Sequence, residues 1–139
     1  MSGVAGHGVL ILGMHRSGTS VVARLTEAAG AYLGKELFPA QEGVNERGFW
    51  ESAPAVRINE DLLLGLNSWW DDWLVFPDGW EDSPAVEAAV TEITGLIERT
   101  TRANSLWGIK DPRLCRLVPA WQRAAKRAGS NLVSIITLR

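Results

Sequence analysis

The chain has 139 residues, 46% of them hydrophobic and 22% charged, a composition that suits one folded globular domain and excludes a disordered chain. A formal charge of −2 offers no global basic field, which argues against a nucleic-acid partner and means that any bound anion is held locally. There is no apolar run near the ~20 residues of a membrane span, no signal-peptide pattern at the start, and one cysteine, Cys115, which permits neither an internal disulfide nor a thiolate metal cluster. A cytoplasmic protein is the expectation.

In chain order, Gly8–Gly13 is a short continuous apolar run, the pattern of a strand buried on both faces. From Gly18 onward, Val21, Val22, Leu25 and Ala28 or Ala29 fall at helical spacing, with Gly30 as the stop. Residues 31–53 read as an ordered loop. Ala55–Leu66 is helical, and Asn67–Pro84 is irregular, aromatic and acidic. Ser83 and Pro84 suit the N-cap and first turn of a helix running to about Arg102. A strand over Ser105–Ile109, a helix over Leu114–Ala128 and a strand over Asn131–Leu138 complete the chain. Alternating strands and helices predict a three-layer α/β fold with a central parallel sheet.

The turn between the first strand and helix reads Gly13-Met14-His15-Arg16-Ser17-Gly18-Thr19-Ser20. The phosphate-binding P-loop template places two glycines at this spacing, followed by lysine and then serine or threonine. Both glycines are present, Thr19 stands where the lysine belongs, and Ser20 fills the hydroxyl position. Such a loop turns consecutive amide N–H groups inward at the positive end of a helix. Ser17, Thr19 and Ser20 add hydroxyls. The lysine normally reaches the outer phosphates of a nucleoside triphosphate, so its loss argues against ATP or GTP. Arg16 supplies a cation inside the turn, suited to a shorter anion. An unliganded glycine-rich turn is the bland alternative.

Arg16-Ser17-Gly18-Thr19-Ser20 resembles the 5'-phosphosulfate loop of sulfotransferases that use 3'-phosphoadenosine 5'-phosphosulfate (PAPS). Asn45-Glu46-Arg47-Gly48-Phe49-Trp50-Glu51, Trp107-Gly108-Ile109-Lys110-Asp111-Pro112-Arg113 and the final strand running into Arg139 resemble further segments of bacterial members, in the same order. The resemblance implies a P-loop-containing fold, PAPS as cofactor and 3',5'-adenosine bisphosphate as product. It implies cofactor binding by Arg16, Ser17, Gly18, Thr19, Ser20 and Arg139, and a catalytic role for Arg16 and Lys110 at the departing oxygen. In the family a serine follows the arginine matched by Arg139 and shares its 3'-phosphate. That serine is absent here, so the sequence reads as a partial domain, 1–139, with its C-terminal part missing.

Sulfuryl transfer resembles phosphoryl transfer, in which positioning and charge stabilisation dominate, and it needs no metal. Lys110 follows a predicted strand, at the sheet edge where α/β folds bind ligands. The alternative is a surface lysine paired with Asp111 or with glutamate side chains, and Asp111 itself suits a helix cap. A hydroxyl or amine acceptor needs a base: Glu51 first, then Glu46, with His15 as a rival. An ion-pair or capping role competes for each glutamate. Seven tryptophans are present, and Trp69, Trp70, Trp73 and Trp80 crowd one acidic segment. They suit an acceptor-pocket wall, core packing or a homo-oligomer contact. Small-molecule, saccharide, peptide and lipid acceptors all fit. Cys115, beside Leu114 and Leu117, reads as a small buried hydrophobe. Two other classes compete: a P-loop kinase or nucleotide hydrolase using ATP, and a non-catalytic fragment.

Overall fold

A computed structural model describes residues 6–44, 46 and 48–138. Asn45, Arg47 and the predicted cofactor residue Arg139 lie outside the described residues. The elements are β1 His7–Leu12, α1 Thr19–Ala28, α2 Ala53–Gly65, a 3-10 turn Trp80–Asp82, α3 Pro84–Thr101, β2 Leu106–Lys110, α4 Leu114–Arg127 and β3 Asn131–Ile136. The three strands form a parallel sheet in the order β2-β1-β3. At the outer edge of β2, Tyr32 adds one further parallel bridge to Trp107.

Strand β1 is central because both of its faces are apolar, as a parallel strand requires. Leu10 and Leu12, with Trp107 and Ile109 of β2, pack against α2, α3 and α4. On the opposite face Ile11 packs with Ala23 of α1 and with Leu33, flanked by Val9, Val22 and Trp50. Helices therefore cover both sides of the sheet. Helix α3 starts as its sequence requires, with the Ser83 hydroxyl accepting from the Val86 amide at 3.4 Å. Helix α4 buries Leu114, Leu117, Ala120, Trp121, Ala124 and Ala125, a regular helical stripe. Pro119 lies inside α4, half-buried, and has no N–H to give the Cys115 carbonyl its usual helical bond.

Two expectations change. Cys115 is exposed, not buried, because it is one position off the α4 stripe. The apolar spacing on α1 marks a helix correctly but not its buried face. Val21 and Leu25 are exposed, and Thr19 and Ala23 are buried instead. Strand β3 lies at the sheet edge, and its Val133 and Ile136 are exposed. No described helix is long and apolar enough to cross a membrane.

Glycine at position 8 is set by a neighbour on β2. A β-carbon there would fall inside the Trp107 ring, which is buried and anchored through its indole N–H to the Ser130 hydroxyl at 3.2 Å. Gly8→Ala should lower stability by about 1–3 kcal/mol through overpacking, measured by urea unfolding. An unchanged midpoint would contradict this packing.

Candidate active site

Adjacent strands β1 and β2 send their chains to opposite faces: β1 into α1, β2 into α4. Such a divergence opens a crevice at the carboxyl ends of the strands. Three segments meet there: the turn after β1, the excursion between α1 and α2, and the turn after β2.

The turn after β1 is held by local bonds. Ser17 donates its amide to the Met14 carbonyl at 3.2 Å and its hydroxyl to the same oxygen at 2.6 Å. The Ser17 hydroxyl also lies 2.9 Å from that of Thr137, just beyond β3. A side chain at position 13 would collide with Thr137, Ser17 and Thr19, so only glycine lets the turn close. Gly18 caps α1 in the left-handed region, φ 88°, where glycine carries no steric cost. Among the described residues, the amides of Gly18, Thr19 and Ser20 donate to no protein carbonyl, and no side chain caps this helix end. They form a cluster of donors at the positive end of a helix.

The excursion returns on itself. Phe38 donates its amide to the Glu51 carbonyl at 2.9 Å and Ala53 to that of Glu36 at 2.7 Å. Trp50 takes a left-handed backbone, φ 58°, a conformation that costs a non-glycine residue ~1 kcal/mol or more. It turns the Phe49 carbonyl and the Glu51 side chain toward β2. There Lys110, 4% exposed, donates its ammonium to the Phe49 carbonyl and to Glu51 Oε1, each at 2.8 Å. Lys110 is thus paired with a glutamate, as the alternative reading allowed, but it is buried and not on the surface.

Arg113 completes the cluster. Its Nη1 donates to Asp111 Oδ1 at 2.9 Å and lies 3.9 Å from Glu51 Oε2, while Nη2 donates to Glu60 at 2.8 Å. Burial pulls the Arg113 pKa down, but the carboxylates of Asp111, Glu60 and Glu51 outweigh it and raise the pKa above the usual guanidinium value. Asp111 also accepts the Arg113 amide at 3.0 Å and Asn59 Nδ2 at 2.9 Å, while Asn59 accepts the Trp121 indole N–H at 2.9 Å. The turn is therefore bonded directly into the core. The sequence singled out Lys110 but assigned no role to Arg113 or Asn59.

Between these segments lies a cleft of about 620 Å³. Of the predicted residues it is lined by Arg16, Gly18, Thr19, Ser20, Glu51 and Lys110, with the rival base His15. Ser17 is turned into its own loop, and Glu46 is exposed and does not line the cleft. Phe49, Trp50, Trp70, Val21, Val44 and Pro112 supply the apolar walls. A second cavity of about 220 Å³ behind β2 contains none of the predicted residues. No group of three His, Cys, Asp or Glu side chains among the described residues is placed to hold a metal.

The tryptophans divide by environment. Trp107 and Trp121 are core residues, Trp80 packs at 4.7 Å on Phe76, and Trp69, Trp70 and Trp73 are exposed. Trp70 meets the His15 ring edge-on at 5.2 Å, joining the aromatic segment to the cleft. Arg116 pins that segment. It donates to the Ser68 hydroxyl at 2.8 Å, to the Asp72 carbonyl at 2.9 Å and to the Leu74 carbonyl at 2.6 Å, and it lies 4.0 Å over the Phe76 ring. Asp72 accepts from Ser68 at 2.6 Å and from the Leu74 amide at 3.0 Å.

Comparison with known protein families, with curated proteins and with solved structures found no match to this chain.

The Ser68 hydroxyl, the Leu74 amide and Arg116 hold the Asp72 carboxyl below its ordinary value. A carboxyl whose folded pKa is depressed stabilises the segment fully at neutral pH and loses that contribution as pH falls through the folded value. Tryptophan fluorescence should therefore hold through the usual carboxylate range and change only below it, and Asp72→Asn should abolish this transition. A wild-type transition at or above the ordinary carboxylate value would contradict the assignment.

Proposed function

We propose that the cleft is the active site of a PAPS-dependent sulfotransferase with a P-loop-type fold, and that it transfers a sulfuryl group to a hydroxyl or amine acceptor. The observation that carries this reading is the meeting of the uncapped amides of Gly18, Thr19 and Ser20 with Arg16 and Lys110 in one cleft. Four sequence segments that resemble the family in order support it, and three of them supply Arg16, Glu51 and Lys110. A short, doubly anchored anion fits the loop better than a triphosphate, because Thr19 occupies the position of the lysine that reaches outer phosphates.

The donor contributes an activated sulfuryl group whose bridging oxygen gains charge as the sulfur–oxygen bond breaks. The amides after Gly18 hold the 5'-phosphate, and Arg16 lies beside it. Lys110 moves its ammonium from Glu51 toward the bridging oxygen and offsets the charge growing there. That movement frees Glu51 Oε1 to accept the proton of the attacking acceptor oxygen or nitrogen. Arg113 keeps Glu51 in place through Oε2 while Lys110 is displaced. Outside the described residues, Arg139 is the proposed contact for the 3'-phosphate.

Calorimetry with 3',5'-adenosine bisphosphate against Mg-ATP tests the proposal. The bisphosphate should bind and ATP should not, and Arg16→Ala should weaken the bisphosphate about 10- to 100-fold, the worth of a charge-assisted contact. Preferential Mg-dependent ATP binding would favour a kinase or nucleotide hydrolase instead. No binding of either would leave a non-catalytic fragment as the better description.

A further inference from the structure

Arg24 lies four residues beyond Ser20, on the same face of α1, and lines the cleft. Its guanidinium carbon lies over the Trp50 ring, 5.7 Å from the ring centre, a cation–π contact that holds the head group on that side of the cleft. Arg113 and Arg116 are consumed by carboxylates and carbonyls, whereas among the described residues none pairs with or accepts from Arg24 beyond this contact.

The charges of the cleft sharpen the point. Glu51 neutralises Lys110 at rest, so Arg24 adds a cation to this lining on a chain whose net charge is −2. Arg16 sits in the loop itself. Arg24 lies about 6 Å further along the helix axis than Ser20, on the side of Trp50, and a phosphate seated on the helix-end amides does not require it. Val21, Phe49 and Trp70 add apolar surface to the same lining.

We propose that Arg24 is a second anion subsite, and that it selects an acceptor bearing an acidic group on a flat apolar body. The word acceptor rests on the sulfotransferase reading; the anion subsite does not. A bidentate contact from such a guanidinium suits a carboxylate, and Phe49 and Trp70 suit an aromatic ring beside it.

Two isosteric probes test it: 4-hydroxybenzoate and 4-hydroxybenzamide, titrated into protein saturated with 3',5'-adenosine bisphosphate. Binding is followed by the Trp50 indole N–H resonance. The carboxylate should bind about tenfold more tightly than the amide, and Arg24→Gln should remove that advantage. Bisphosphate affinity should stay within about twofold of wild type. Arg24 is exposed, so the variant should fold normally, which circular dichroism checks. Equal affinity for the two probes, a preference that survives Arg24→Gln, or no binding of either at millimolar concentration would overturn the proposal. So would a large loss of bisphosphate affinity in the variant, because Arg24 would then serve the donor. If wild-type protein binds no bisphosphate, the donor reading fails separately, and the same titration on nucleotide-free protein still decides the role of Arg24.

Discussion

Lys110 ends β2 with its ammonium almost wholly withdrawn from water, and an unpaired charge in such a place is strongly disfavoured. Glu51 and the Phe49 carbonyl make the arrangement tolerable, each at 2.8 Å. Both come from an excursion 59 or more residues earlier in the chain. The path of that excursion, the left-handed turn at Trp50 and the start of α2 are all constrained by the need to bring these oxygens to Lys110. Arg113, Asp111 and Asn59 extend the constraint to Trp121 in the core. Removing one partner of a buried pair leaves the other uncompensated, typically at a cost of about 3–5 kcal/mol. This cluster is therefore both a structural tie and a store of charge.

The tie also shapes the cleft. It fixes one wall, while the turn after β1 supplies the opposite wall through its glycines and the Ser17–Thr137 contact. A separate anchor, Arg116, sets the tryptophan segment at the rim without sharing any bond with the Lys110 cluster. The result is a cleft that carries Arg16, Arg24 and the Lys110–Glu51 pair beside an aromatic margin. Under the proposed function, the apolar margin limits water around an anion held by the helix-end amides.

Local signals in the sequence were enough for most of the fold. The apolar run of β1, the Ser83 cap and the stripe of α4 depend on neighbours within a turn or two, and their elements fall within a few residues of the reading. The spacing of Gly13 and Gly18 was legible for the same reason. What the sequence did not display are pairings made across the fold. Lys110 with Glu51, and Asn59 between Asp111 and Trp121, exist only once β2 and α2 are packed together. Buried faces were legible only where the stripe was unambiguous: α1 exposes Val21 and Leu25, and Cys115 faces outward. Arg24 carries a local signal, its four-residue spacing from Ser20, but its contact with Trp50 depends on the excursion.

The central claim is that Lys110 is a buried charge held by Glu51 at the cleft proposed to bind an anion. Nitrogen-detected NMR of the lysine side chains tests it most directly. One ammonium resonance, assigned by its loss in Lys110→Met, should show slow hydrogen exchange at neutral pH and should shift when 3',5'-adenosine bisphosphate is added. A Lys110 ammonium that exchanges as fast as a surface lysine, or that is unmoved by the bound nucleotide, would contradict the account.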